Sequence, residues 1–452
     1  MPTADSTAAA SPSLVRLARP ASNRAVLRPV EETRQVRRVI ELCHALLSER
    51  AEASRTRLAA EALAAHKSLS SPALDCFFDL LVDEFSLDGA AVTRRGDACR
   101  QVQSHARLVQ GCVEPPRREL FRRLSLASFG TSALVDMRRR ILQGLGENPS
   151  WAAVEADLAY LLRSWFNAEF LEFRRIDGRT SPAVLESLIR YEAVHEIRDW
   201  PDLRRRLEED RRCFALFHPS LPDEPVIFME LALTSSLSAR VQPLLDPDSA
   251  VQDPTSCRYA MFYSISTCHE GLRGVPFGNA LIRRAVDALR QELPGLDTFA
   301  TISPVPGFRP WLTAMARDGD CRTAELASLV SRLKVQNWFE DAAHELQRAL
   351  VPLCAFYLLH AKRGHEPADS VARFHLGNGA RLERLNWLGD TSAAGIQRSV
   401  GVTANYLYRL SEVDQNQRAY VTDRTVMASR RIQSFAKNAG DLLSCRAATA
   451  GR

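Results

Sequence analysis

The chain is predicted to fold as α+β overall, with an all-helical N-terminal bundle followed by a mixed-sheet domain flanked by helices. Three observations predict this. From residue 31 to about residue 170, apolar side chains recur at helical spacing with almost no strand pattern. Near residues 172–180 the composition changes, and runs rich in β-branched and aromatic residues follow at 213–217, 225–233 and 258–266. Residues 258–308 then read as strand, glycine-bearing loop, helix and strand, and the second half of the chain is organised around them.

In chain order, residues 1–30 are rich in Ala, Ser, Pro and Arg and carry one acid, Asp5. They read as a disordered leader, although a transit peptide has a similar composition. The helical domain spans residues 31–172 and is expected to serve structure or oligomerisation. Val36, Val39, Ile40, Cys43, Leu46 and Leu47 mark its first helix. Further helices are expected at 57–67, 73–85, 117–126, 132–145 and 151–170, with Pro72, Pro115-Pro116 and Pro149 near their starts. Breaks are expected at Gly89, Gly111, Gly130 and 144–146. The second domain, residues 173–452, opens with Ser181-Pro182 as a helix start, and a second helix follows at 201–209. A proline-rich connection, 218–224, joins the first two strands. A long helix is expected at 323–350 and a closing one at about 425–443.

With 452 residues, 46% hydrophobic and 25% charged, the chain is long enough for two or three domains and ordinary for a globular protein. Its 59 basic and 54 acidic side chains leave a net charge of +5, too mild to indicate nucleic acid. No apolar run reaches the roughly 20 residues of a membrane span. The ten cysteines form no C-x-x-C pair, which sets zinc-ribbon and thioredoxin sites aside. They read as reduced thiols of a cytoplasmic protein. A metal site is not expected, because Asp199 and Arg348 stand where the second His of an H-E-x-x-H motif would be.

The candidate chemistry begins in the loop Gly271, Gly274, Gly278. A loop leading into a helix start suits an anion, above all a pyrophosphate, and is equally often a plain turn. It resembles, in loosened form, the acyl-CoA loop of GNAT-type acetyltransferases. Arg273, Arg283 and Arg284 are near enough to contact phosphate, or they form a solvated helix face. Ser303 ends the second strand before Pro304 and lacks a G-x-S-x-G elbow. His375 stands in Phe374-His-Leu-Gly-Asn-Gly379, a turn-like setting in which a histidine is more available than on an apolar helix face. Tyr406 and Tyr408 read equally as core aromatics.

Several ordered runs carry a more specific resemblance. They are residues 192–195 (EAVH), 212–220, 262–266 (FYSIS), 271–274 (GLRG), 303–308 (SPVPGF), 375–380 (HLGNGA), 386–387 and 404–406. In these the chain resembles the malonyl-CoA decarboxylase family, through most of residues 170–430. The resemblance implies a helical oligomerisation domain and a GNAT-like catalytic domain. It implies conversion of malonyl-CoA to acetyl-CoA and CO2 without cofactor or metal, in a homodimer or homotetramer. It places catalysis at Ser303, His375 and Tyr408, and CoA at Ser264, Ser266, Gly271, Leu272, Arg273, Gly274 and Gly278. Where some members carry an acid in the loop, this chain has Pro276.

The chemistry is consistent with that. Loss of CO2 leaves an enolate on the thioester, which is itself the electron sink. The protein must orient the carboxylate in a dry pocket, stabilise the oxyanion and deliver a proton. Ser303 and His375 are expected to engage the carboxylate, with His375 helping to protonate the acetyl carbanion. Asn378 is a candidate oxyanion donor. The alternatives are a GNAT-type acyltransferase and a non-catalytic acyl-CoA sensor.

Overall fold

The structure, a computed structural model, describes residues 23–86, 114–317, 323–335, 337–341 and 343–444. It divides into two compact units, Met1–Leu161 and Leu162–Arg452.

The first unit is helical, with helices Asn23–Ser48, Glu52–Lys67, Ser71–Glu84, Pro116–Leu124 and Gly130–Gly144 and most of Ala152–Trp165. Val36, Val39, Ile40, Cys43 and Leu46 form the buried stripe that the periodicity predicts. Ser70 caps the third helix, its hydroxyl accepting from the Ala73 N–H, with Pro72 in the first turn. Two expected breaks, Gly89 and Gly111, lie outside the described residues. The third is displaced. Gly130 is the first residue of its helix, and the break is Phe129, left-handed at φ 61°. A Cβ on Gly130 would stand 2.3 Å from the Leu124 carbonyl oxygen, so close backbone approach explains this glycine. Charge is buried as pairs here. Arg117 Nη2 lies 2.7 Å from Asp157 Oδ2, and both side chains are about 5% exposed.

The second unit is built on one sheet. Its strands are β1 (Glu172–Ile176), β2 (Arg211–His218), β3 (Leu221–Thr234), β4 (Tyr259–Thr267), β5 (Thr298–Thr301), β6 (Ser303–Pro304), β9 (Arg381–Asn386) and β10 (Thr403–Tyr408); β7 (Lys362–Arg363) and β8 (Glu366–Pro367) form a separate hairpin. The order is β1-β2-β3-β4-β5-β10-β6, with β9 on the other side of β10. Every pairing is antiparallel except β4 with β5. This is the mixed sheet that was expected, with helices such as Pro182–Tyr191 and Gly278–Glu292 packed on it. β2 is buried along nearly its whole length, which is why its central run, residues 213–217, is continuously apolar rather than alternating.

Four expectations are corrected. β1 was not expected; its Phe173 and Ile176 lie among charged residues, and pairing with β2 rather than pattern makes it a strand. The connection after β2 is tighter than 218–224, because Leu221 already pairs with His218. The single helix at 323–350 is three, Thr323–Arg332, Trp338–Asp341 and Ala343–His360, with Asn337 left-handed at φ 55° between the first two. The closing helix starts later than expected, as Arg430–Ser444, and an unexpected helix, Val413–Asp423, precedes it and ends at Arg424 with φ 54°. Ser181 does precede the helix Pro182–Tyr191, but its side chain makes no capping bond. No described helix is long and apolar enough to cross a membrane.

Candidate active site

The site begins where β4 and β5 part. They pair in parallel from Tyr259/Thr298 to Phe262/Thr301, and the Ile302 N–H still donates to the Phe262 carbonyl at 2.9 Å. Beyond that point β4 runs on to Thr267, while residues 303–304 turn away to pair with β10, Ser303 opposite Ala404. The divergence leaves a cavity of about 200 Å³. Ser264, Ile265 and Thr267 line one side, Thr301, Ser303 and Pro304 another, and Phe374 and His375 a third; among the described residues no lysine or arginine lines it.

His375 is delivered by a helix, not by a turn as expected. The helix Ser370–Gly377 starts at Asp369, whose carboxylate accepts from the Val371 and Ala372 N–H groups at 3.0 Å each. It ends in a Schellman motif. Gly379, at φ 82°, donates to the Leu376 carbonyl, and Ala380 donates to that of His375. The glycines around His375 therefore signal a helix C-terminus. Asp369 also accepts from the Gly307 N–H at 3.1 Å, so one carboxylate ties the Ser303 loop to the His375 helix.

Seventy-two residues apart in sequence, Ser303 and His375 meet. Ser303 Oγ is 3.0 Å from His375 Nε2 and donates to Thr301 Oγ1 at 2.9 Å. On the far side of the ring, His375 Nδ1 is 2.9 Å from the Tyr408 hydroxyl. With the Ser303 proton on Thr301, the network sets the tautomer: Tyr408 donates to Nδ1, and Nε2–H donates to Ser303. The imidazole stacks on Tyr406, with ring centroids 4.7 Å apart, and meets the edge of Phe374 at 5.0 Å. Burial among rings and hydroxyls pushes its pKa down to about 3, so it is neutral at working pH. Burial likewise pushes the Tyr408 hydroxyl up, keeping it protonated.

The other candidates fall in three places. Asn378 caps the His375 helix and lines a neighbouring cavity with Tyr408, Asn279 and Asp414, not the one holding Ser303. Gly271 and Leu272 are buried in a single turn, Glu270–Leu272, and Gly274 takes φ 83°. Gly278 opens the helix Gly278–Glu292; a Cβ there would stand 2.1 Å from the Phe374 ring, so this close approach serves packing against a cavity wall. Arg273 is exposed and pairs with Glu270, while Arg283 pairs with Asp414. Arg284 is committed to structure, donating to the Leu171 and Ala168 carbonyls at 2.7 and 2.9 Å. The bland reading of that arginine as a solvated helix face and the reading as a phosphate ligand both give way to a tether.

Ser264 and Ser266 lead to a residue that carried no assigned role, Glu192. Its carboxylate accepts from Ser264 Oγ at 2.7 and 2.8 Å, from Ser266 Oγ at 3.1 Å, and from the Val194 and His195 N–H groups at 2.9 and 2.7 Å. The signal in the sequence was the run Glu192–His195 itself, which has no local chemistry until β4 is placed beside it.

Comparison with known proteins bears on the chain as a whole. Residues 169–444 match the family model of the malonyl-CoA decarboxylase C-terminal domain, and residues 85–166 that of its N-terminal domain. The mitochondrial malonyl-CoA decarboxylase of Anser anser anser is 34% identical over 351 residues, covering 72% of this chain and 70% of that protein. That of Rattus norvegicus is 33% identical over 367 residues, covering 75% and 74%. The crystal structure of malonyl-CoA decarboxylase from Rhodopseudomonas palustris superposes with a TM-score of 0.83 at 41% identity, over 88% of this chain and 99% of that one. The Agrobacterium vitis structure gives 0.81 at 41% identity with the same coverage. By sequence over both units and by fold, the chain belongs to the malonyl-CoA decarboxylase family.

Proposed function

We propose that the protein decarboxylates malonyl-CoA to acetyl-CoA and CO2, with Ser303 and His375 at the reacting centre. The observation that carries this is the contact of Ser303 Oγ with His375 Nε2 at 3.0 Å, in a cavity that the described residues line with hydroxyls and apolar groups but with no lysine or arginine. A carboxylate held there without a counter-charge is poorly solvated, whereas neutral CO2 is not disfavoured. Desolvation of this kind favours bond cleavage over retention of the carboxylate.

The C–C bond to the carboxylate breaks and its electron pair moves into the thioester as an enolate. Ser303 turns its proton from Thr301 to the substrate. The acetyl carbon gains a proton from Ser303, which is resupplied by His375 Nε2–H, while Tyr408 passes a proton to Nδ1 and takes one from solvent in the same step, so that no buried tyrosinate is left. The ring thus relays without becoming an imidazolium, in keeping with its depressed pKa. The ring is left as its Nδ1–H tautomer and returns to the Nε2–H form before the next turnover. The loop 271–278 and the start of the helix Gly278–Glu292 hold the CoA pyrophosphate.

Residues 31–172 are, on the same reading, the oligomerisation region of a homodimer or homotetramer acting in the cytoplasm. The deciding assay supplies purified protein with malonyl-CoA and no acceptor amine. Release of CO2 with acetyl-CoA supports decarboxylation, and an absolute need for an acceptor indicates an acyltransferase.

A further inference from the structure

The cavity has two hydroxyl poles of opposite character. On the Ser303 side, a hydroxyl is fed by Nε2–H of His375 and its own proton is free to turn to substrate. On the β4 side, Ser264 is 2% exposed and lines the same cavity, but its single proton is taken. It points to Glu192, at 2.7 and 2.8 Å from the two carboxylate oxygens. A carboxylate only accepts, so Ser264 offers the cavity only lone pairs. Ser266 cannot change this. It lies 3.3 Å from Ser264, spends its proton on the same carboxylate, and accepts from the Ala193 N–H at 3.2 Å. Glu192 is itself held by two backbone N–H groups, so the polarity is built into the fold.

A hydroxyl that can only accept selects a donor. The malonyl head has none at neutral pH, for its carboxylate and thioester oxygens are all acceptors. The nearest donor on an acyl-CoA is the amide N–H of the pantetheine arm next to the sulfur. We propose that Glu192 is a positioning residue that fixes Ser264 as the acceptor for this arm amide, and so turns the malonyl carboxylate toward Ser303 and His375. The proposal rests on the decarboxylase reading and adds to it an orientation rule. Carboxylate and arm cannot exchange ends, because a carboxylate against Ser264 would face an acceptor backed by a negative charge.

The test compares two thioesters of malonate. One is malonyl-N-acetylcysteamine, which keeps the arm amide; the other is an alkyl thioester of equal length with no N–H. Wild-type protein, Ser264→Ala and Glu192→Gln are assayed for CO2 release on both. Glutamine donates to Ser264 and frees its proton to point at the amide, so both variants lose the acceptor. The account expects each variant to raise KM on the amide arm about five- to tenfold, the value of one hydrogen bond, with kcat changing less than KM. The loss on the amide arm should exceed that on the alkyl arm at least fivefold. Equal losses on both arms mean a general structural defect and overturn the Glu192–Ser264 assignment while leaving the decarboxylase reading intact. Turnover of neither thioester and of malonyl-CoA by wild-type protein overturns both. Ser264→Ala removes one buried oxygen only, and thermal melts alongside show whether Glu192→Gln is folded.

Discussion

In the helical unit the buried guanidinium of Arg117 meets the Asp157 carboxylate at 2.7 Å, whereas in the sheet unit the buried imidazole of His375 meets only hydroxyls, at 3.0 and 2.9 Å. Both side chains are almost free of solvent. The first is a full charge compensated by a full charge, and it can do nothing without breaking that pair. The second is neutral, flanked by groups that both donate and accept, and it can pass a proton along that chain without itself becoming charged. The contrast teaches where to look for chemistry in a chain rich in buried polar groups. A paired buried charge marks structure, while a neutral titratable group in a chain of hydroxyls marks a site.

The contrast can be broken first at its functional end. His375→Ala should lower turnover by about 10³-fold, within the range for general acid–base groups, with CoA affinity retained in calorimetry. At the other end, Arg117→Ala leaves Asp157 paired with Arg118 alone, at 2.7 Å, and should cost about 1–3 kcal/mol in urea unfolding. The turnover of its folded fraction should stay as in the wild type. A comparable drop in turnover per folded molecule would mean that the helical unit also acts in the chemistry.

Between these extremes lies Gly278→Ala. The new methyl group would stand 2.1 Å from the Phe374 ring and must displace it. Because the ring walls the cavity, KM should rise along with a stability loss of about 1–3 kcal/mol typical of overpacking. A change in stability alone would separate this glycine from substrate binding.

The smallest effect on turnover is expected from pH. His375 stays neutral in the folded protein down to about pH 3, so kcat should show no acid limb near pH 6.5. Stability should respond instead. His375 and His66, the latter lowered to about 4 by burial, protonate near pH 6.5 once the chain unfolds. The unfolded state then binds more protons, so their contribution is complete above pH 6.5 and is lost as pH falls toward 4 and 3. Urea midpoints between pH 7 and 4 measure this. A midpoint that rises on acidification would contradict the burial of both rings.

Much of this was legible before the fold was known. The helical stripe from Val36 to Leu46 follows from spacing alone, and the strand–loop–helix–strand order of residues 258–308 survives, because each element has a strong local pattern. What local pattern could not supply was pairing. β1 exists because β2 lies beside it, and Glu192 acquires its role only when β4 brings Ser264 against it. His375 was misplaced for a related reason. Its glycines were read as a loop, although they close a helix that Asp369 opens six residues earlier. The meeting of Ser303 with His375 was expected only through the family resemblance, since nothing within either motif encodes a contact 72 residues away.

The central claim is tested most directly by feeding malonyl-CoA alone to wild-type protein and to Ser303→Ala, and measuring CO2 and acetyl-CoA together with CoA binding. The account predicts equimolar CO2 and acetyl-CoA from the wild type. It predicts a loss of about 10²-fold or more in Ser303→Ala, the scale for one well-placed hydroxyl or N–H donor, with CoA binding preserved. Near-normal turnover by the folded Ser303→Ala protein, or no CO2 from the wild type, would contradict it.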